Sequence, residues 1–167
     1  MKIAEQWETL THAQSNAPVD VFSLPHKLGI DVKSAFLANS ISGMLEKTAS
    51  SFLITINALD PLTRQRFTLA HELGHYMLHR HLVGDGLDDD KAYRSTNLGK
   101  YHNTLIGPAE ETEANKFAAN LLMPRHLINS ELKKRTRPEL KISDDIIHEM
   151  AKLFEVSEQA MSIRLGK

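Results

Sequence analysis

The sequence predicts an α+β fold: a small antiparallel three-stranded sheet packed beside one long helix, followed by a helical C-terminal half. Three observations carry this expectation. Between residues 30 and 57 lie three short, β-branched, partly alternating runs, IDVKSAFL, ISGMLEK and SSFLITIN, separated by Asn/Ser/Gly or Thr/Ala/Ser turns. Residues 61–80 then switch to a strong helical period behind Pro61, a residue suited to a helix start. Beyond residue 109 every apolar pattern is helical.

The elements follow in order. Residues 2–14 read as an amphipathic helix closed by Pro18. Residues 20–28 read as a second, short helix, with Asp20 as N-cap, Gly29 as its stop and Pro25 as an interruption. The three strands form a meander over 31–57, which leaves SSFLITIN at an edge. Residues 83–108 break the periodicity: GDGLDDD is acidic and turn-like, and Gly99, Gly107 and Pro108 follow, so this stretch reads as an irregular surface insertion. Helices are then expected at 109–122, 125–134, 143–154 and 157–165. The whole is read as one domain: N-terminal helices in 1–30, the sheet in 31–57, the long helix in 61–80, the insertion in 83–108 and a helical part in 109–167.

Composition narrows the function. The 167 residues are 41% hydrophobic and 25% charged, an ordinary globular balance. Lys plus Arg number 20 and Asp plus Glu 21, so no overall charge draws the chain to nucleic acid or to an anionic membrane. With no cysteine, any metal must be held by His, Asp or Glu, and a cytoplasmic setting is suited. No run approaches the ~18 apolar residues of a membrane span. The opening MKIAEQWETL, with Glu5 and Glu8, does not read as a signal peptide.

The chemistry concentrates in His71-Glu72-Leu73-Gly74-His75, which fits H-E-x-x-H. Four residues are just over one helical turn, so both imidazoles project from one side of the helix. At about 100° per residue, with His71 at zero, His75 lies near 40° and Glu72 near 100°. Leu69, Leu73, Tyr76 and Met77 fall roughly between 140° and 240°. A structural core histidine would lie in that apolar stripe, and these two lie opposite it. Two histidines so placed supply one edge of a tetrahedral zinc site, and Glu72 stands where a general base can take a proton from metal-activated water. On the same geometry His79 is turned about 80° away from His71 and is two turns along, so it does not converge on the ion. It and His81 read as surface residues near the helix C-terminus, where the dipole favours a cation.

A catalytic zinc takes three protein ligands. The next helix offers Glu110, Glu111 and Glu113. Asn115, Ala118 and Leu122 lie within about 40° of Glu111, and Ala114, Phe117 and Leu121 widen that face. Glu113 falls with Lys116 and Asn120 on the polar side, and Glu110 sits in the first turn. Glu111 is therefore the candidate third ligand, among small alanines that let two helices approach, and Asn115 is a candidate hydrogen-bond partner for a ligand.

Arg66-Phe-Thr-Leu-Ala-His-Glu-Leu-Gly-His75, with Glu111-Thr-Glu-Ala-Asn-Lys-Phe-Ala-Ala-Asn-Leu-Leu-Met-Pro124, resembles the ImmA/IrrE family of metallo-endopeptidases. Leu153-Phe-Glu-Val-Ser157 and Ala160…Arg164-Leu165 are similar to that family's closing element, so the likeness runs from about residue 24 to 165. It implies a zincin-like fold, zinc ligands at His71, His75 and Glu111, and a catalytic Glu72. The stretch from Arg94-Ser95 to Glu111 is longer than the family's usual spacing. Some members carry a fused helix-turn-helix domain, for which fewer than 30 residues before the first strand leave no room.

The reaction these residues suit is peptide hydrolysis without a covalent intermediate, an extended substrate pairing with the sheet edge at SSFLITIN. Tyr76, Tyr93, Arg94, Tyr101 and His102 are open candidates for stabilising the oxyanion. The resemblance implies a protein substrate, a transcriptional repressor. The rival reading is a non-proteolytic metal-bound regulator, or a DNA-binding protein using the helix-turn-helix-like segment 147–165. That segment offers Glu155, Glu158 and Gln159 against a single Arg164, a poor electrostatic footprint for DNA.

Overall fold

A computed structural model describes residues 2–83, 93–94, 106–135 and 142–167. Helix α1 spans Ile3–Ala13. A 3-10 turn at Val21–Ser23 leads into α2, Leu24–Leu28, and Asp20 caps that turn by accepting from the Ser23 N–H at 3.4 Å. Pro25 does not interrupt this element; it sits in the first turn of α2, where its missing N–H costs nothing. Gly29 ends the helix at φ +74°, the left-handed conformation that glycine adopts freely.

Strands β1 (Asp31–Ala35), β2 (Gly43–Lys47) and β3 (Phe52–Asn57) follow, with a two-residue β4 at Tyr93–Arg94. The α+β class is as expected, but the antiparallel meander is not formed. The sheet order is β1-β3-β2-β4, with β1 parallel to β3, and β3 antiparallel to β2. The physical reason is the connection after β1, which is no hairpin. Buried Asn57, at the end of β3, donates from Nδ2 to the Ile41 carbonyl at 2.9 Å, and its Oδ1 accepts from the Leu37 and Leu59 N–H groups. Its side chain thus holds the 36–42 segment open, and β3 lies in the gap between β1 and β2. SSFLITIN is therefore an inner strand with no free edge for a substrate, and Ile54, Thr55, Ile56 and Asn57 are all buried. β4 pairs antiparallel with β2 at Met44 and Leu45.

Helix α3 spans Leu62–Gly74 and continues without a break into a π turn, His75–His79. Four helices complete the described chain: α4 (Pro108–Leu122), α5 (Arg125–Arg135), α6 (Asp144–Phe154) and α7 (Glu158–Arg164). Most of the expected insertion, 84–92 and 95–105, lies outside the described residues, and with it Tyr101 and His102; of Tyr93 and Arg94 only the backbone pairing is described. No described helix is long and apolar enough to cross a membrane.

One apolar cluster joins α1, α2, β2, β3, α3, α4, α6 and α7, with Leu24, Leu45, Ile54, Leu69, Leu73, Leu122, Met150 and Phe154 wholly buried. The helix-turn-helix-like pair is part of it: α6 buries Ile147, Met150, Ala151 and Phe154, and α7 buries Met161. Arg66 fastens the turn between them to α3. Its guanidinium donates to the Val19 and Glu155 carbonyls at 2.8 and 3.1 Å and pairs with the Glu155 carboxylate at 3.1 Å. Arg164 donates to the Met123 carbonyl at 3.0 Å, so this helix's one arginine is used in packing.

Candidate metal centre

The second half of α3 is buried all round. Leu69, Ala70 and Leu73 face the apolar core, and His71, Glu72 and His75 are equally buried on the opposite side, against β2 and α4. Two glycines make this possible. A Cβ at Gly43 would overlap Thr68 Cγ2 and stand 2.9 Å from the Thr55 carbonyl oxygen, so β2 runs directly over α3, alongside Glu72. A Cβ at Gly74 would stand 3.1 Å from Phe117 Cδ1 and 3.2 Å from the Cα and carbonyl oxygen of Ala114. That near backbone-to-backbone approach brings Glu111, one turn before Ala114, to the histidines.

His71, His75 and Glu111 form a cluster whose donor atoms all lie within 4.8 Å of one another. His71 Nε2 and His75 Nε2 are 2.9 Å apart, and the Glu111 carboxylate oxygens lie 3.4 Å from His71 Nε2 and 3.6 Å from His75 Nε2. A tetrahedral centre with bonds of about 2.0–2.1 Å has edges of roughly 3.3 Å, so these three separations bracket what such an ion needs. Asn115 Oδ1 accepts from His71 Nδ1 at 2.9 Å, which leaves Nε2 directed at the cluster.

The electrostatics also favour a cation. Burial works against charge on His71, yet the hydrogen bond to Glu111, the charges of Glu72 and Glu111 and the bond to Asn115 together hold its pKa above the ordinary value. His75 goes the other way: burial first, then the neighbouring His71 and His79, push it down to about 2. A proton held between the two Nε2 atoms, 2.9 Å apart, would close the network, and a metal ion would take the place of that positive charge. The donor set of two imidazoles and one carboxylate fits a divalent metal.

The other glutamates separate as the sequence suggested, with one difference. Glu110 accepts from the Gly107 N–H at 2.8 Å and caps α4, and backbone hydrogen bonds lower its pKa. Glu113 is largely exposed, but its Oε2 reaches His79 Nε2 at 3.0 Å. His79 itself is buried rather than at the surface, with Nδ1 3.1 Å from His75 Nδ1. The expectation failed because it assumed a regular helix. The π turn winds fewer degrees per residue and returns His79 to the side of His71 and His75. His81 is exposed as expected. Tyr76 leaves the oxyanion candidates: its hydroxyl accepts from Gln6 Nε2 at 2.9 Å and its ring packs edge-on against Phe52.

Sequence reasoning missed His79, its partner Glu113 and the two close-approach glycines. Gly74, inside an otherwise periodic helix, was the signal available for the last of these.

Comparisons with known proteins place the chain in a family. The profile of the family described as IrrE N-terminal-like domain, a peptidase family, matches residues 25–166. "Metallopeptidase ImmA" of Bacillus subtilis (strain 168) is 31% identical over 93 residues, 54% of this chain and 47% of that protein. The chain thus spans about half the length of this curated relative. The fold resembles that of a solved "Mycobacterium tuberculosis transcriptional regulator" at a TM-score of 0.63 and 14% identity, over 99% of this chain and 46% of that one.

Proposed function

The chain belongs to the family of IrrE N-terminal-like peptidase domains, and on that premise we propose that it is a zinc-dependent endopeptidase. The observation that carries the proposal is the His71, His75 and Glu111 cluster with wholly buried Glu72 on the same helix. His71, His75 and Glu111 hold the zinc, and Asn115 fixes the ring of His71. When bound, zinc supplies a Lewis acid that polarises a carbonyl and lowers the pKa of water. Glu72 accepts the proton of the attacking water and delivers it to the leaving amine. Its burial keeps bulk water from screening that exchange. In this reading water is the nucleophile and no covalent intermediate forms.

The proposed substrate is a protein, a transcriptional repressor in keeping with the likeness to ImmA/IrrE proteins, with cleavage in the cytoplasm as the regulatory act. A cluster that holds a metal without cleaving anything would not require Glu72.

The test is to incubate the zinc-loaded protein with candidate repressors and to look for one defined cut by mass spectrometry. The cut should vanish with EDTA and with Glu72→Gln. Salt-sensitive binding to promoter DNA without cleavage of any candidate would replace this reading with that of a regulator.

A further inference from the structure

The two histidines of the cluster are oriented by different means. His71 is held by one amide, that of Asn115. His75 is held through a second imidazole, whose far nitrogen meets a carboxylate on α4. The direction of this chain of bonds follows from its outer end. An ionised carboxylate only accepts, so Glu113 Oε2 requires a proton on His79 Nε2. In the neutral form of His79 this leaves a bare Nδ1, which can only accept. In that form His75 Nδ1, 3.1 Å away, carries the proton, and its Nε2 is left with a lone pair aimed at Glu111 and His71. Reversed, the chain would place the proton on His75 Nε2 and close that atom to a metal.

We propose that His79 and Glu113 are positioning residues that fix His75 in its Nε2-accepting tautomer, so that the ligand atom is set by a carboxylate at the protein surface. Three features support the assignment. His79 is buried and bonded at both ring nitrogens, so its orientation is determined. It reaches His75 through a π turn, a rare helix geometry often found at functional sites. Its carboxylate comes from α4, the helix that also supplies Glu111 and Asn115. The inference rests on the metal-binding reading above.

The test compares wild type with His79→Leu, His79→Asn, Glu113→Ala and the double variant His79→Leu/Glu113→Ala. Zinc affinity is measured by competition with a chromophoric chelator. Outer partners of metal-bound histidines are worth about 10–100-fold in affinity, and a loss in that range is expected for His79→Leu. His79→Asn keeps an amide oxygen near the position of Nδ1 and should restore most of the loss. Glu113→Ala should weaken binding less, since water can reach His79 Nε2, and should add nothing in the His79→Leu background. In metal-free protein, long-range proton–nitrogen NMR should find the His75 proton on Nδ1 in wild type and shifted towards Nε2 in His79→Leu.

Zinc affinity of His79→Leu equal to wild type, or an Nε2 proton on His75 in wild type, overturns the proposal. Should His79→Leu not fold, the position of the His75 proton in wild type decides it, by the same NMR signal. Failure of wild type to bind zinc would overturn the enzyme reading instead, and the tautomer measurement needs no metal.

Discussion

Gly74 on α3 and Ala114 on α4 meet backbone to backbone: a Cβ at Gly74 would lie 3.2 Å from both the Cα and the carbonyl oxygen of Ala114. Gly74→Ala adds intrinsic helix preference of about 0.8–1.0 kcal/mol. It also presses α4 outward by a few tenths of an ångström and carries Glu111 away from the histidines. Zinc affinity should fall while the melting temperature of metal-free protein changes little. Chelator competition and thermal unfolding on the same samples would separate the effects, and unchanged affinity would deny that this contact sets the ligand's position.

The same approach separates the acidic residues of α4. Glu111→Ala should reduce zinc affinity beyond the ~10–100-fold expected of an outer partner, and Glu113→Ala should stay below that range. Glu110→Ala should leave affinity unchanged, because its carboxylate caps the Gly107 N–H. Elemental analysis after dialysis ranks the three, and a Glu113 effect equal to that of Glu111 would reverse the ligand assignment.

Glu72→Gln preserves shape at a wholly buried position and removes the proton acceptor. The variant should bind zinc and fold, and should lose turnover. Cleavage of a confirmed substrate at the wild-type rate would remove Glu72 from the mechanism.

Gly43→Ala should lower stability by about 1–3 kcal/mol, the usual cost of overpacking, because the added methyl meets Thr68 and the Thr55 carbonyl. Combining it with Thr68→Ser, which removes the obstructing methyl, should recover part of that loss in chemical denaturation. No recovery would place the strain elsewhere.

Removing metal should be visible in thermal unfolding. Free zinc at a thousand times its dissociation constant stabilises by about 4.1 kcal/mol, and in a chain of this size each kcal/mol moves the melting point by roughly 2–4 °C. Zinc-loaded protein should therefore melt about 8–16 °C above an EDTA-treated sample. Superimposed curves would mean that no folded-state zinc site exists.

Much of this was legible in the sequence because it depends on local periodicity. Residues 62–74, 108–122 and 144–154 are helices whose spacing alone sets which side chains share a face, and the inward direction of Glu111 followed from it. The order of the strands was not legible, since it turns on the long-range bonds of Asn57 to Leu37 and Ile41. Nor was the burial of the polar side of α3, because periodicity says which face is apolar and not whether another element covers the remaining one. His79 was misread for a third reason: constant helical pitch was assumed through a turn that is wider.

Three imidazoles on one helix each meet an oxygen from the other: His71 with Asn115, His75 with Glu111, and His79 with Glu113. This matching predicts a rule of exchange among relatives. Position 79 and position 113 should change together, because a lone carboxylate at 113 has nothing to receive and a lone imidazole at 79 has nothing to set its proton. Position 115 should instead vary with the demands of position 71. The informative unit in the primary structure is then not five residues but nine, His71 to His79, read jointly with the alternating trio 111, 113 and 115.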